Sequence, residues 1–103
     1  MAYRLIITDR AEELLAQLVS HILFKFKNEP AAKYLLDGIE QLYDRLEDNP
    51  YQFADCRDFF LKRKGYKEAV VKDMDYILIF RIEGDVVYVL GIFHQLENYK
   101  EKI

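Results

Sequence analysis

Cysteine occurs once in the 103 residues, at Cys56, so no disulfide can form within the chain. That scarcity argues against the stapled scaffolds of small secreted proteins and makes a reducing cytoplasm the expected home. Four glycines and two prolines are too few for a collagen-like or low-complexity chain, and the aromatics are too many for disorder. No apolar run approaches the roughly 20 residues that span a bilayer. Residues 1–10 lack the long apolar core of a signal peptide. An excess of positive charge is missing too. The formal net charge is -3, which argues against wholesale binding of phosphate backbones.

What is present is apolar and aromatic. Hydrophobic residues make up 51% of the chain and aromatics 15%, enough for one core at this length. Residues 1–103 are therefore expected to form a single domain, with no repeat or linker. The charge is segregated. Residues 57–72 carry Arg57, Lys62, Arg63, Lys64, Lys67 and Lys72 against Asp58 and Glu68. Residues 37–55 invert that balance, with Asp37, Glu40, Asp44, Glu47, Asp48 and Asp55 against Arg45. One face or edge is expected to be basic on an acidic protein; a solvated charged loop is the plain alternative for residues 57–72.

Tyr3 to Ile7 is rich in strand formers, and Thr8-Asp9 is a helix-starting pair. A strand followed by an N-cap at Thr8 or Asp9 is predicted. Ala11, Leu14, Leu15, Leu18, Val19, Ile22, Leu23 and Phe26 follow in steps of three and four, the apolar stripe of a helix packed on a core. Asn28-Glu29-Pro30 ends that helix and starts the next. Its stripe is Ala32, Leu35, Leu36, Ile39, Leu42, Tyr43 and Leu46, closed by Asp48-Asn49-Pro50. The two helices form an antiparallel hairpin.

Residues 50–64 are irregular. Tyr51, Phe53, Phe59, Phe60 and Leu61 are expected to pin this loop to the core, with a short helix over residues 55–61. Three strand-like runs follow, Tyr66 to Val71, Tyr76 to Ile82 and Val86 to Phe93, joined by segments of hairpin length and composition. The middle run is apolar at nearly every position, as a strand covered on both faces would be. Residues 95–103 are polar apart from Leu96, Tyr99 and Ile103 and are expected to be a mobile tail. The order β-α-α-β-β-β predicts an α+β fold, an N-terminal helix hairpin packed on one face of a mainly antiparallel four-stranded sheet. The functional side chains are expected on the other face.

Several segments together carry a family likeness. They are Tyr3 to Glu12 at the start, Asn49-Pro50 after the second helix, Gly65-Tyr66-Lys67 opening a strand, Tyr76 to Phe80 at the centre and Val89 to Gln95 at the end. In order and spacing, the chain resembles the RelE/ParE superfamily of toxins from bacterial type II toxin–antitoxin (plasmid stabilisation) modules, over essentially its whole length. The resemblance implies a RelE-like fold and a growth-arresting toxin. In the ribosome-dependent ribonuclease branch, mRNA is cleaved in the ribosomal A site with the help of arginines, lysines and a terminal tyrosine or histidine. Lys67 is similar in position to one of those lysines. His94 stands where related nucleases carry a functional residue, and Tyr99 stands in for the late tyrosine. The chain departs from that branch at Tyr76-Ile77, where Tyr-Arg is usual, and at Gln95 to Asn98, where arginines are usual. The gyrase-poisoning ParE branch does not depend on these positions.

For chemistry His94 is the sharpest candidate, since an imidazole titrates near neutral pH. It would take the proton of a ribose 2′-hydroxyl or protonate the leaving 5′-oxygen. Lys67 and Arg81 would stabilise charge on the phosphate. Lys62, Arg63 and Lys64 are candidate RNA or target contacts, an affinity term without sequence information. Tyr66, like Tyr76 and Tyr88, would stack on bases where it faces outward. Plainer roles are open for each: a strand-end cap for His94, a surface pair with Glu83 or Asp85 for Arg81, core packing for the tyrosines. His21 is placed at a helix boundary, and two histidines with one cysteine do not make a metal site. No cofactor and no metal are expected, and Cys56 is assigned no role.

The resemblance implies a cognate antitoxin as partner, whose flexible part wraps the toxin and adds a helix or a strand. Phe24 and Tyr34 are candidate contacts for it. The target would be the ribosome with its mRNA, or DNA gyrase, with no membrane involved. Three functions stand open: a metal-independent endoribonuclease (an mRNA interferase), placed slightly ahead because of His94; an inhibitor of DNA gyrase acting by protein contact; and a degenerate toxin that retains only antitoxin binding.

Overall fold

The computed structural model describes residues 2–103. β1 (Arg4–Ile7) leads into α1 (Asp9–Ser20), and Thr8 joins them. Its Oγ1 accepts the Ala11 N–H at 3.2 Å and donates to the Val89 carbonyl at 2.8 Å. One hydroxyl thus starts the helix and ties it to a distant strand. The helix then widens into a π-helical turn over His21–Lys25, which rotates the predicted stripe off the core at its end. Phe26, expected on the stripe, is exposed, and so is Phe24. Asn28 accepts the Ala31 N–H at 3.1 Å and starts α2 (Glu29–Asp48). Ala32, Leu35, Ile39, Leu42 and Leu46 of the second stripe are buried.

The remaining elements are β2 (Ala54–Asp55), α3 (Phe59–Arg63), β3 (Lys67–Val70), β4 (Tyr76–Glu83) and β5 (Val86–His94). The strand order is β1-β5-β4-β3-β2, with β1 parallel to β5 and the other neighbours antiparallel. Among the described residues the sheet has five strands where four were expected. The extra one pairs Ala54 with Glu68 and Asp55 with Lys67, and two residues are too few to show an alternation in sequence. The short helix lies later than expected because Asp58 caps it, accepting the Leu61 N–H at 3.0 Å. Residues 95–103 also differ from the expected mobile tail. A 3₁₀ turn over Tyr99–Glu101 folds them back, with Tyr99 buried.

The core has two parts because β4 is covered on both sides. Ile77, Leu78, Ile79 and Phe80 are all fully buried, as the unbroken apolar run predicted. Leu78 and Phe80 join Leu35, Ile39, Leu46, Val87 and Val89 beneath the helices. Ile77 and Ile79 face outward and pack with Cys56, Leu61, Phe93 and Tyr99. A bulge keeps both patterns in phase, since Ile79 pairs with Gly91 while Phe80 pairs with Val89. The extra residue, Leu90, lets Val89 and Ile92 face the same side. Among the described residues no helix is long and apolar enough to cross a membrane.

Candidate functional site

Side chains alternate across a strand, so register assigns each candidate to a face. Arg81 pairs with Tyr88, and both belong to the outer face, beyond Ile77 and Ile79. α3 supplies their neighbours. At its end Gly65 adopts φ 82°, its N–H donating to the Lys62 carbonyl at 3.0 Å and the Tyr66 N–H donating to the Leu61 carbonyl at 3.1 Å. This closure needs a left-handed residue, which glycine supplies at least cost. It turns Tyr66 onto the outer cluster, half-buried.

Cations and rings alternate across this region. Arg63 Cζ stands 5.7 Å from the Phe59 ring centroid, and Lys64 Nζ stands 5.9 Å from Phe60 and 5.8 Å from Tyr66. Arg81 Cζ lies 4.1 Å from Tyr88 and also pairs with Glu83. Phe59 is 70% and Phe60 65% exposed, so these two rings do not pin the loop as expected. Leu61 takes the single inward position of a five-residue helix. Phe53 does anchor, edge-on to Phe80 at 5.8 Å. Tyr51 is exposed, and Lys62 is exposed on α3.

Three candidates fall elsewhere. Lys67 pairs with Phe80 and faces the helix side. Its ammonium donates to the Phe53 carbonyl and to Asp55 Oδ1, each at 3.1 Å, and lies 5.8 Å from the Tyr51 ring. It clamps β2 to the sheet edge. Tyr99 is stacked on Phe93 at 5.7 Å. Burial first, and then the Glu68 carboxylate, hold its hydroxyl above the ordinary tyrosine value, so it keeps its proton. His94 ends β5 opposite Tyr76, its ring edge-on at 5.6 Å. Its Nδ1 accepts the Leu96 N–H at 3.1 Å, which leaves Nε2 to carry the proton of the neutral ring.

His94 lines an open cleft of about 460 Å³ on the helix side, with Arg10, Gln17, His21, Tyr76, Glu97 and Lys102. The cleft's cations are already matched, Arg10 to Glu13 at 3.7 Å and Lys102 to Glu97 at 2.5 Å. Because His94 sits opposite Tyr76 and Lys67 opposite Phe80, the two are separated by four positions along β4 and by two strand spacings. That is about 16 Å. Arg81 is on the other face. The structure brings together Arg63, Lys64, Tyr66 and Arg81; it does not bring His94 to Lys67 or Arg81. Among the described residues no group of three His, Cys, Asp or Glu could hold a metal.

Two buried polar groups complete the outer face. The Glu68 carboxylate, 7% exposed, accepts the Arg57 N–H at 2.8 Å and Arg57 Nε at 3.0 Å. Burial, and after it the Glu68 carboxylate, push the Cys56 thiol up to about 12, so it remains an inert thiol. Sequence reasoning missed Phe59 and Phe60 as surface residues. The signal available was Asp58, a cap that starts the helix at Phe59 and leaves one inward position for Leu61.

The family described as "ParE toxin of type II toxin-antitoxin system, parDE" matches residues 5–99. Among solved structures the chain is similar to one titled "Chromosomal ParDE TA system from P. aeruginosa", with a TM-score of 0.73 and 17% sequence identity, over 90% of this chain and 96% of that one. At that identity the likeness speaks for the fold. No curated protein matches the sequence.

Proposed function

Since the chain belongs to the ParE toxin family of type II toxin–antitoxin systems, we propose that it is restrained by a cognate antitoxin and arrests growth by binding DNA gyrase, without cleaving RNA. The observation that carries this reading is the dispersal of the groups a ribonuclease would need. Phosphodiester cleavage requires an acid or base within hydrogen-bond reach of the proton it moves, and cations on the same phosphate. His94 lies about 16 Å from Lys67, Lys67 is bound to Phe53 and Asp55, and Tyr99 is packed under Phe93. An inhibitor that acts by contact needs none of these groups assembled. It needs a rigid surface with side chains left unburied, and the outer face supplies one in Phe59, Phe60, Arg63 and Lys64.

Pulse-labelling of DNA and protein synthesis, minutes after the chain is induced without antitoxin, tests the proposal. DNA synthesis falls first, purified protein traps gyrase cleavage complexes or blocks supercoiling, and His94→Ala arrests growth as the parent does. Translation falling first, with His94→Ala harmless, would overturn the proposal in favour of mRNA cleavage. Soluble, antitoxin-free protein that arrests nothing would leave only antitoxin binding.

A further inference from the structure

We propose that the outer face carries a track for a single strand of DNA, running over Phe60, Lys64, Tyr66, Arg81 and Tyr88. The path alternates ring and cation at each step. Lys64 Nζ stands over both the Phe60 and the Tyr66 rings, at 5.9 and 5.8 Å, and the Arg81 guanidinium lies over Tyr88 at 4.1 Å. Tyr66 immediately precedes Lys67, whose partner is Phe80, so the same alternation places Tyr66 beside Arg81. Arg63 over Phe59, at 5.7 Å, adds a parallel step at the edge. From Tyr66 to Tyr88 the track crosses two strand spacings, about 10 Å.

This pattern suits a single strand better than its rivals. Unpaired bases offer planar faces to stack on the exposed Phe60 ring and on the Arg81 guanidinium that covers Tyr88, while their phosphates meet Lys64 and Arg63. A duplex hides those faces, and an acidic peptide would satisfy the cations but leave the rings without a planar partner. The cations are free to act. Among the described residues Arg63 and Lys64 have no acidic side chain in ion-pair range. Arg81 gives one of its five N–H donors to Glu83 and keeps others. The net charge of -3 and the acidic stretch over residues 37–55 repel nucleic acid elsewhere, which confines contact to this face. Choosing DNA over RNA rests on the gyrase reading above; the track itself does not.

Fluorescence anisotropy of the purified protein with a labelled thymidine oligomer of about 12 nucleotides, without gyrase, tests the proposal. Binding is expected to weaken with salt at a log–log slope of about -2, as three phosphate contacts on a single strand predict. Phe60→Ala, at an exposed ring, weakens binding about tenfold. Arg63→Glu combined with Lys64→Glu weakens it by more, while Lys25→Glu combined with Lys33→Glu, the same change in net charge at two exposed helix-side lysines, leaves it as it was. Parent-like binding by Phe60→Ala, or equal displacement by polyglutamate, would overturn the track in favour of a merely basic patch. No binding of the oligomer at low salt would remove the track altogether. Clearly tighter binding of oligouridine would overturn the assignment to DNA. A protein that fails this assay yet traps gyrase disproves the track and leaves the gyrase reading standing; one that binds DNA but spares gyrase does the reverse.

Discussion

Toward the helices β4 presents Tyr76, Leu78, Phe80 and Ile82; outward it presents Ile77, Ile79, Arg81 and Glu83. The inward series is apolar from end to end and meets α1 and α2 along its length. The outward series changes character halfway. Ile77 and Ile79 lie under Leu61, Phe93 and Tyr99, and where that cover stops, Arg81 and Glu83 begin. One face is given to stability throughout, the other to stability only as far as its cover reaches. Exposed rings and cations start at that margin, so the side chains proposed to meet a partner are also the ones the fold needs least.

The largest expected effects compare the two sides directly. Phe80→Ala empties a fully buried position between helices and sheet and is expected to cost about 3–5 kcal/mol in denaturant unfolding. Phe60→Ala, at a 65% exposed ring, is expected to change stability by no more than about 0.5 kcal/mol. Equal losses at the two sites would mean that the outer patch is core, and the division between the faces would fail. Arg57→Ala comes next, with a loss of about 1–3 kcal/mol in the same measurement. It removes the side-chain partner of the buried Glu68 carboxylate but spares the backbone N–H bond. An unchanged midpoint would show that water already satisfies Glu68 and that the outer cluster is wetter than its burial suggests.

Gly65→Ala sharpens the comparison further, at about 1–2 kcal/mol. A Cβ there meets nothing within 4 Å, so the cost comes from φ 82° alone. If this variant loses its stability without losing contact with its target, the Gly65 turn serves the fold and not the placement of Tyr66.

The inward face was legible in the sequence and the outward one was legible only in part. The stripes over residues 11–26 and 32–46 repeat often enough for period to betray packing, and the caps at Thr8 and Asn28 follow from side chains that bond their own helix starts. β2 left no trace because its two residues are held by Lys67 from another strand. The π-helical turn left none because a one-residue change in hydrogen bonding keeps the same residue types. The outer cluster of cations and rings was visible as ingredients, Arg63, Lys64, Tyr66 and Arg81, but not as an assembly, since register decides which strand residues become neighbours. The setting of His94 was legible only in part, for the same reason. Its position at a strand end was readable, whereas its distance from every phosphate-holding candidate depended on pairings across three strands.

The smallest effect lies on the inward side, in the segment that returns over His94. Glu97 Oε1 accepts the His94 N–H at 2.8 Å and its Oε2 accepts from Lys102 Nζ at 2.5 Å. Burial alone would raise this carboxyl, but the Lys102 hydrogen bond, the His94 N–H and the charges behind them outweigh it and hold it below the ordinary value. A group whose folded-state value is depressed is protonated more readily in the unfolded chain. Its contribution is therefore complete above the ordinary carboxylate range, about pH 4, and is lost as pH falls through the lower folded-state value. Because the Glu97 side chain is 31% and Lys102 49% exposed, solvent screens the pair and the loss is local. Amide exchange over residues 96–103 should outpace the intrinsic acid trend below that pH while β4 stays protected. Glu97→Gln should loosen the same amides at neutral pH. If it leaves their protection unchanged, the segment is held by Tyr99 on Phe93, and the second core, extending past the last strand, fixes the shape of the His94 cleft.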